Sequence, residues 1–271
     1  MLVRSYCRVR VAEVAGCLSV RLCNYSGTHV HCLSNLRMAS SDSEVAGMRA
    51  AYRTRQELFM ETDLVCKEPF GQFKAWFNEA CNNPKVEEAN AMCLSTASKD
   101  GAPSARYVLL KGFGSDGFKF FTNYNSRKGT ELDENPRAAL TFYWEPLRRS
   151  IRIEGKVERL DEKESDDYFH SRPRDSQIGA CASNQSAPIS GREILSAQQQ
   201  LLSERYLDED IPRPGHWGGY IVVPHSIEFW QGQSDRLHDR IRFRVPHASE
   251  RPDGKLLHQG DDGWVYERLS P

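Results

Sequence analysis

Ala91-Met-Cys-Leu-Ser-Thr-Ala97, Ser104-Ala-Arg-Tyr-Val-Leu-Leu-Lys111 and Phe118-Lys-Phe-Phe-Thr122 are three short runs of β-type composition. Between them stand Lys99-Asp-Gly101 and Ser115-Asp-Gly117, whose Asp-Gly pairs supply the backbone freedom that tight hairpins need. Segments joined so closely pair antiparallel, because a parallel crossover takes a dozen residues or more. The spacing therefore predicts an antiparallel meander.

Working outward, further β-type runs fall at Ala138–Trp144, Ser150–Leu160, Trp217–Val223, Ile227–Gln231, Leu237–Val245 and Trp264–Leu269. Upstream, Pro69 precedes Phe70, Phe73, Trp76, Phe77 and Ala80, a three- and four-residue spacing that predicts an amphipathic helix over the core. Two more helical patterns cover 161–172 and 191–207; in the first, Asp161, Glu162 and Glu164 lead and Arg172 closes, as the helix dipole prefers. Strands consecutive in sequence, with helices interposed late, indicate a mainly β fold: an antiparallel barrel decorated with helices.

The 271 residues carry 36 Lys+Arg against 37 Asp+Glu, so any electrostatic function rests on local clusters, which argues against a general nucleic-acid coat. No run approaches the apolar length of a membrane span. Cysteines at 7, 17, 23, 32, 66, 81, 93 and 181 form no C-x-x-C pair and read as reduced thiols of a cytoplasmic-type compartment. Residues 1–46 differ from the rest: Arg4, Arg8, Arg10, Arg21 and Arg37 face the acid Glu13 before the small polar run Ala39–Glu44. They are expected to be a disordered extension or a mitochondrial-type targeting segment, leaving 47–271 as the folded domain. His29-Val-His31-Cys32 lacks a second ligand pair to complete a metal site, so no metal is expected.

Five stretches carry chemistry. Gly112-Phe-Gly-Ser-Asp-Gly117 matches G-x-G-x-x-G, but a strand and not a helix follows, so it reads as a hairpin turn. Ser126-Arg-Lys-Gly129 places a capping serine and two cations at a helix start, where they oppose the dipole unless an anion lies between them; a solvated basic turn is the plain alternative. Arg106 and Lys111 sit in an apolar strand and need partners: alternation in an unbulged strand sets them on opposite faces, so they fit two different anions or one site built across a subunit boundary, with ordinary salt bridges the plain alternative. Tyr168, Arg172 and Ser176 flank a helix end broken by Pro173, a geometry able to aim donors into a cleft. Finally, Arg236, His238, Arg240, Arg242 and Arg244 would share one strand face at roughly 6.7 Å spacing, a row that should bind anions along part of its length.

Asn90–Leu94, Ser104–Arg106, Leu110–Gly114, Phe121–Asn123, Ser126–Gly129, Tyr143-Trp144, Tyr168–Pro173, Asn184-Gln-Ser186, Glu228–Gly232 and Arg236–Arg240 together resemble the pyridoxine/pyridoxamine 5'-phosphate oxidase family, in order and at family spacing, from about Arg49 to Pro271. The resemblance implies an FMN-binding split β-barrel, a homodimer with FMN at the subunit interface. It implies oxidation of pyridoxamine 5'-phosphate and pyridoxine 5'-phosphate to pyridoxal 5'-phosphate, with dioxygen reduced to hydrogen peroxide. Flavin contacts would fall on Arg106, Tyr107, Val108, Leu109, Phe121, Thr122, Arg127, Lys128, Gln185, Ser186, Trp230 and Arg240. Substrate contacts would fall on Lys111, Tyr168, Arg172, Ser176, Arg236 and His238, the last two also holding the reactive carbon as catalytic residues. The family usually carries glutamine as a flavin contact where this chain has Ser150. A non-catalytic carrier of FMN or pyridoxal phosphate on the same barrel is the alternative of a different class, and a nicotinamide-using flavin reductase a further one.

Overall fold

The computed structural model describes residues 58–271. The expectations for 1–46, for its boundary with the folded domain and for His29-Val-His31-Cys32 lie outside the described residues.

The meander forms as its turn chemistry dictates. β1 (Ala91–Ala97) pairs antiparallel with β2 (Pro103–Leu109) across the Asp100-Gly101 turn, where Gly101 takes φ +89°. The short β3 (Gly112–Gly114) pairs with β4 (Gly117–Asn123), Gly114 opposite Gly117, so the glycine-rich motif is a hairpin. Helix α2 (Arg127–Glu134) follows, then β5 (Arg137–Trp144) and β6 (Arg149–Arg159), helices α3 (Glu162–Ser171), α4 (Arg174–Ala182) and α5 (Arg192–Arg205), and strands β7 (Trp217–Gln231), β8 (Asp239–Arg244), β9 (His258–Gln259) and β10 (Val265–Arg268). The order β2-β1-β5-β6-β7-β8-β10-β9 makes one antiparallel sheet, with β4 added on β7. β7 closes the barrel by changing partners: its first half pairs with β4, its second half with β8, and β6 runs along both.

Alternation puts Leu140, Phe142, Ile151, Ile153, Phe229 and Phe243 wholly inside. α1 (Pro69–Cys81) closes one end of this core. The Glu68 carboxylate accepts from the Phe70 and Gly71 N–H groups, Pro69 occupies the first turn, and Phe73, Trp76 and Ala80 face inward. Phe73 meets Phe118 and Phe142 edge-on, with centroids 4.9 and 5.4 Å apart. A smaller second core joins Phe169, Ile178, Leu202, Ile211 and Trp217 under the three late helices.

Four expectations need correction. Trp217–Val223 and Ile227–Gln231 are one strand, because β7 carries an extra residue, His225, between Pro224 opposite Gly155 and Ser226 opposite Glu154, and this bulge accommodates a proline that has no N–H to give the ladder. The strand expected over Leu237–Val245 starts only at Asp239: Arg236 adopts φ +71° and the Leu237 N–H bonds the Asp235 carboxylate in a turn. The strand expected to reach Lys111 stops at Leu109, after which the Leu110 N–H turns to Asn90 and the Lys111 N–H to Lys119. Pro173 ends α3 and also precedes α4, a helix the sequence reading did not anticipate, since proline is tolerated at a helix start.

Candidate active site

A cleft of about 430 Å³ opens between the barrel and the late helices. β2 contributes Arg106, Tyr107, Val108 and Leu109, and Lys111 follows just beyond the strand. β4 contributes Phe121 and Thr122, and α2 contributes Lys128. From the opposite side come Tyr168 and Arg172 at the end of α3, Ser176 on α4, and Gln185. Arg106 and Lys111 thus line one cleft, against the opposite-face expectation, because the chain leaves the strand pleat before Lys111.

Its floor is aromatic: Phe121 stacks on Tyr168 at 3.9 Å, Tyr168 lies parallel to Trp217, and the Arg172 guanidinium sits 4.7 Å over the Trp217 ring. Sequence reasoning placed Trp217 only in a strand; its role as a platform for Arg172 comes from a contact across 45 residues, with no local signal.

The electrostatics of this cleft call for anions. Ser126 caps α2 through the Gly129 N–H, as expected, and fixes the two cations that follow. Gly129 is required there, since any Cβ would run into the Tyr124 carbonyl. Arg127 turns outward and ion-pairs with Glu131 at 2.8 Å. Lys128 turns inward, only 8% exposed, and its ammonium donates to neutral oxygens alone: Gln185 Oε1 at 2.7 Å, Thr122 Oγ1 at 3.2 Å and Ser126 Oγ at 3.3 Å. Burial and the neighbouring Arg106 bring its pKa down to about 8. Arg172 has a buried Nη1 with no partner, and burial lowers its pKa as well. Such donors, held dry without a carboxylate, are costly unless a ligand neutralises them. They fit phosphate groups, and the aromatic floor fits planar rings.

The remaining site residues lie elsewhere on the chain. Trp230, His238 and Arg240 line a second cleft of about 410 Å³ with Thr141, Tyr143, Ser150, Arg152, Glu228 and Pro271. Ser150 donates to the Phe142 carbonyl at 2.9 Å. His238 Nδ1 accepts the Gln233 N–H at 3.0 Å, and burial and Arg236 push its pKa down, so at neutral pH the ring is uncharged with its proton on Nε2. Ser186 accepts from the Arg127 N–H, and Arg236 is exposed in its left-handed turn; neither they nor Arg127 line these two clefts.

The arginine row is the main correction. Arg236 and His238 precede the strand, and the three arginines that do share its face are paired with carboxylates. Arg240 meets Glu228 at 2.7 Å, Arg242 meets Glu267, and Arg244 meets both Glu250 and Glu267. The acids come from β7, β10 and the loop after β8, so bound anions are not what neutralises this row.

Comparison with known proteins agrees over nearly all of the described residues. Residues 79–203 match the family described as pyridoxamine 5'-phosphate oxidase, and 217–271 match the pyridoxine 5'-phosphate oxidase C-terminal dimerisation region. The pyridoxine/pyridoxamine 5'-phosphate oxidase of Bombyx mori is 56% identical over 84% of this chain and 90% of its own length. The pyridoxine-5'-phosphate oxidase of Bos taurus is 53% identical over 89% of this chain and 92% of its own. Among solved structures, PhzG from Burkholderia lata superposes with a TM-score of 0.69 at 32% identity, over 79% of this chain and 98% of that one.

Proposed function

Because the chain belongs to the pyridoxine/pyridoxamine 5'-phosphate oxidase family, we propose that its clefts carry out the FMN-dependent oxidation of pyridoxamine 5'-phosphate and pyridoxine 5'-phosphate to pyridoxal 5'-phosphate, with dioxygen reduced to hydrogen peroxide. The observation that carries this reading is the pairing of two un-neutralised cations, the buried Lys128 and the half-buried Arg172 with its buried, unpartnered Nη1, with an aromatic floor in one cleft. Two phosphorylated ring systems, cofactor and substrate, answer both demands.

FMN, when bound, would supply the hydride acceptor and the redox link between substrate and dioxygen. Its phosphate would be held by Arg106, Arg127 and Lys128, with Gln185 and Ser186 beside them and Tyr107, Val108, Leu109, Phe121 and Thr122 along the rest of the molecule. Lys111, Tyr168, Arg172 and Ser176 would hold the substrate phosphate. Arg236 and His238 would orient the carbon bearing the amine or hydroxyl, since hydride transfer depends chiefly on approach geometry. The neutral His238 ring can donate from Nε2 to the substrate heteroatom without adding charge at that carbon. For the amine, water then hydrolyses the imine, releasing ammonia and leaving the aldehyde.

Trp230, His238 and Arg240 line a different cleft from Lys128 and Arg172, and all three come from the region matched to family dimerisation. This supports a homodimer in which the second cleft of one copy completes the first cleft of the other. Tyr107, 80% exposed, and Tyr143, 54% exposed, supply apolar surface for such a contact.

No helix among the described residues is long and apolar enough to cross a membrane, and Cys66, Cys81, Cys93 and Cys181 are free thiols. These features support a cytoplasmic setting, with the arginine-rich 1–46 segment as a route to mitochondria. The test is an oxygen electrode: purified protein supplied with FMN should consume oxygen on addition of pyridoxamine 5'-phosphate. A protein that stays colourless after FMN is supplied, or a yellow protein that consumes none, ends the proposal, the second outcome in favour of a carrier.

A further inference from the structure

Glu131 belongs to none of the motifs that single out the site. It nevertheless sits at the junction of three elements, its side chain 7% exposed. Oε2 accepts from Thr96 Oγ1 on β1 and from Ser104 Oγ on β2, the latter at 2.6 Å. Those same two hydroxyls accept from Arg106, Nη1 bonding Thr96 and Nη2 bonding Ser104. Each hydroxyl has a single proton, which goes to the carboxylate, so its lone pairs are left facing the guanidinium and neither group can rotate independently. Arg106 Nη1 also bonds the Leu94 carbonyl, and its Nη2 lies 3.4 Å from Glu131 itself. The other oxygen, Oε1, takes Arg127 Nε at 2.8 Å.

We propose that Glu131 is a positioning residue for the phosphate of the cofactor: it fixes Arg106, through Thr96 and Ser104, and Arg127 directly, so that both guanidiniums are held beside Lys128. The inference rests on the FMN reading above. Three cations against one carboxylate leave a net charge of two, the complement of a phosphate that carries about −1.5 to −2 at neutral pH. The charged groups facing Lys128 are Arg106 from β2 and Glu131 from α2, while Lys111, Tyr168 and Arg172 line the same cleft. Plain Coulomb reasoning says that deleting a carboxylate should strengthen anion binding. Here the opposite follows. Arg106 loses its anchor, and Lys128, already held down by burial and by Arg106, loses the one group that pulls its pKa up and so sheds its proton more readily.

The test uses the full chain stripped of flavin, with FMN and riboflavin binding followed by quenching of flavin fluorescence from neutral to alkaline pH. Riboflavin lacks the phosphate, so it reports the fold and the ring site alone. Glu131→Gln keeps the acceptor for Thr96 and Ser104 but not the charge; it should weaken FMN about tenfold or more and leave riboflavin within about twofold. It should also move the alkaline fall in FMN affinity to lower pH than in wild type, where Lys128 loses its proton near 8. Unchanged or tighter FMN binding, an unmoved pH profile, or equal loss of both flavins would overturn the proposal. Lys128→Met is the control. If it leaves the FMN preference over riboflavin intact, the phosphate lies elsewhere and the site reading itself falls, taking this role with it.

Discussion

Replacing Lys128 by methionine tests whether this cleft is strained to hold an anion. Lys128 is 8% exposed, and burial, with the repulsion of Arg106 added, lowers its pKa from 10.5 to about 8, a shift of roughly 3 kcal/mol against the charged form. The sign follows from proton counting. Between about 8 and 10.5 the unfolded chain binds a proton that the folded chain does not, so stability rises with pH through that window. Below it, the charged lysine is a standing cost to the flavin-free fold. Methionine of similar length removes that cost but leaves Gln185, Thr122 and Ser126 without a shared donor, which costs about 1–2 kcal/mol. The net gain of about 1–2 kcal/mol corresponds to a thermal midpoint about 2–8 °C higher for the flavin-free variant at pH 7. The same change deletes a charge-assisted bond worth about 1.5–3 kcal/mol to the cofactor phosphate, or roughly tenfold to 150-fold in FMN affinity. Differential scanning fluorimetry without flavin and a fluorescence titration with FMN measure both. A variant that loses stability while keeping wild-type FMN affinity refutes the reasoning.

Arg172→Ala should raise the half-saturation for pyridoxamine 5'-phosphate about tenfold to 100-fold with little change in kcat, because its unpartnered Nη1 is assigned to the substrate phosphate; steady-state kinetics decide, and an unchanged KM would remove that assignment. Arg236→Ala should lower kcat with a smaller effect on KM, and wild-type values of both constants would show that its left-handed turn serves only the fold. His238 is neutral at pH 7 and its pKa lies below 6.5, so kcat/KM should fall as pH drops through that lower value, a limb absent from the pH–rate profile of His238→Gln. Phe73→Ala empties a fully buried ring site and should cost about 3–5 kcal/mol in a urea titration, with FMN and riboflavin affinity of the folded fraction unaltered.

What sequence made legible was whatever is local. The β1–β2 and β3–β4 hairpins follow from their Asp-Gly turns, α1 from the spacing of Phe73, Trp76 and Ala80 behind Pro69, and the α2 start from Ser126. The continuity of β7 through Pro224 was not legible, because the bulge at His225 that carries the strand past the proline is held by pairing with Glu154 and Gly155 of β6, some 70 residues away in sequence. Nor was the early end of the second strand, where two backbone bonds to Asn90 and Lys119 outweigh the β-type character of Leu110. The resemblance supplied the residues that share the first cleft, whereas periodicity separated Arg106 from Lys111 and was wrong, since alternation holds only while the strand lasts. Glu131 carried a readable hint, four residues after Arg127, but nothing local joins it to Arg106.

A cation in sequence is ambiguous because its counter-charge can come from anywhere in the chain. Arg242 and Arg244 look as needy as Lys128 until Glu250 and Glu267 arrive from the next loop and the last strand. Lys128 and Arg172 face hydroxyls, an amide and aromatic rings instead, although the cleft's only nearby carboxylate among the described charge partners of Lys128, Glu131, is already committed to Arg106 and Arg127. The burial that disfavours their charge thus persists in the folded chain without internal relief, and stability alone gives no reason to keep it. An anionic ligand does. Anion demand is located by the arginines and lysines that folding leaves with neutral neighbours, and by that criterion it lies in the first cleft, while the longest basic run in the chain serves the sheet.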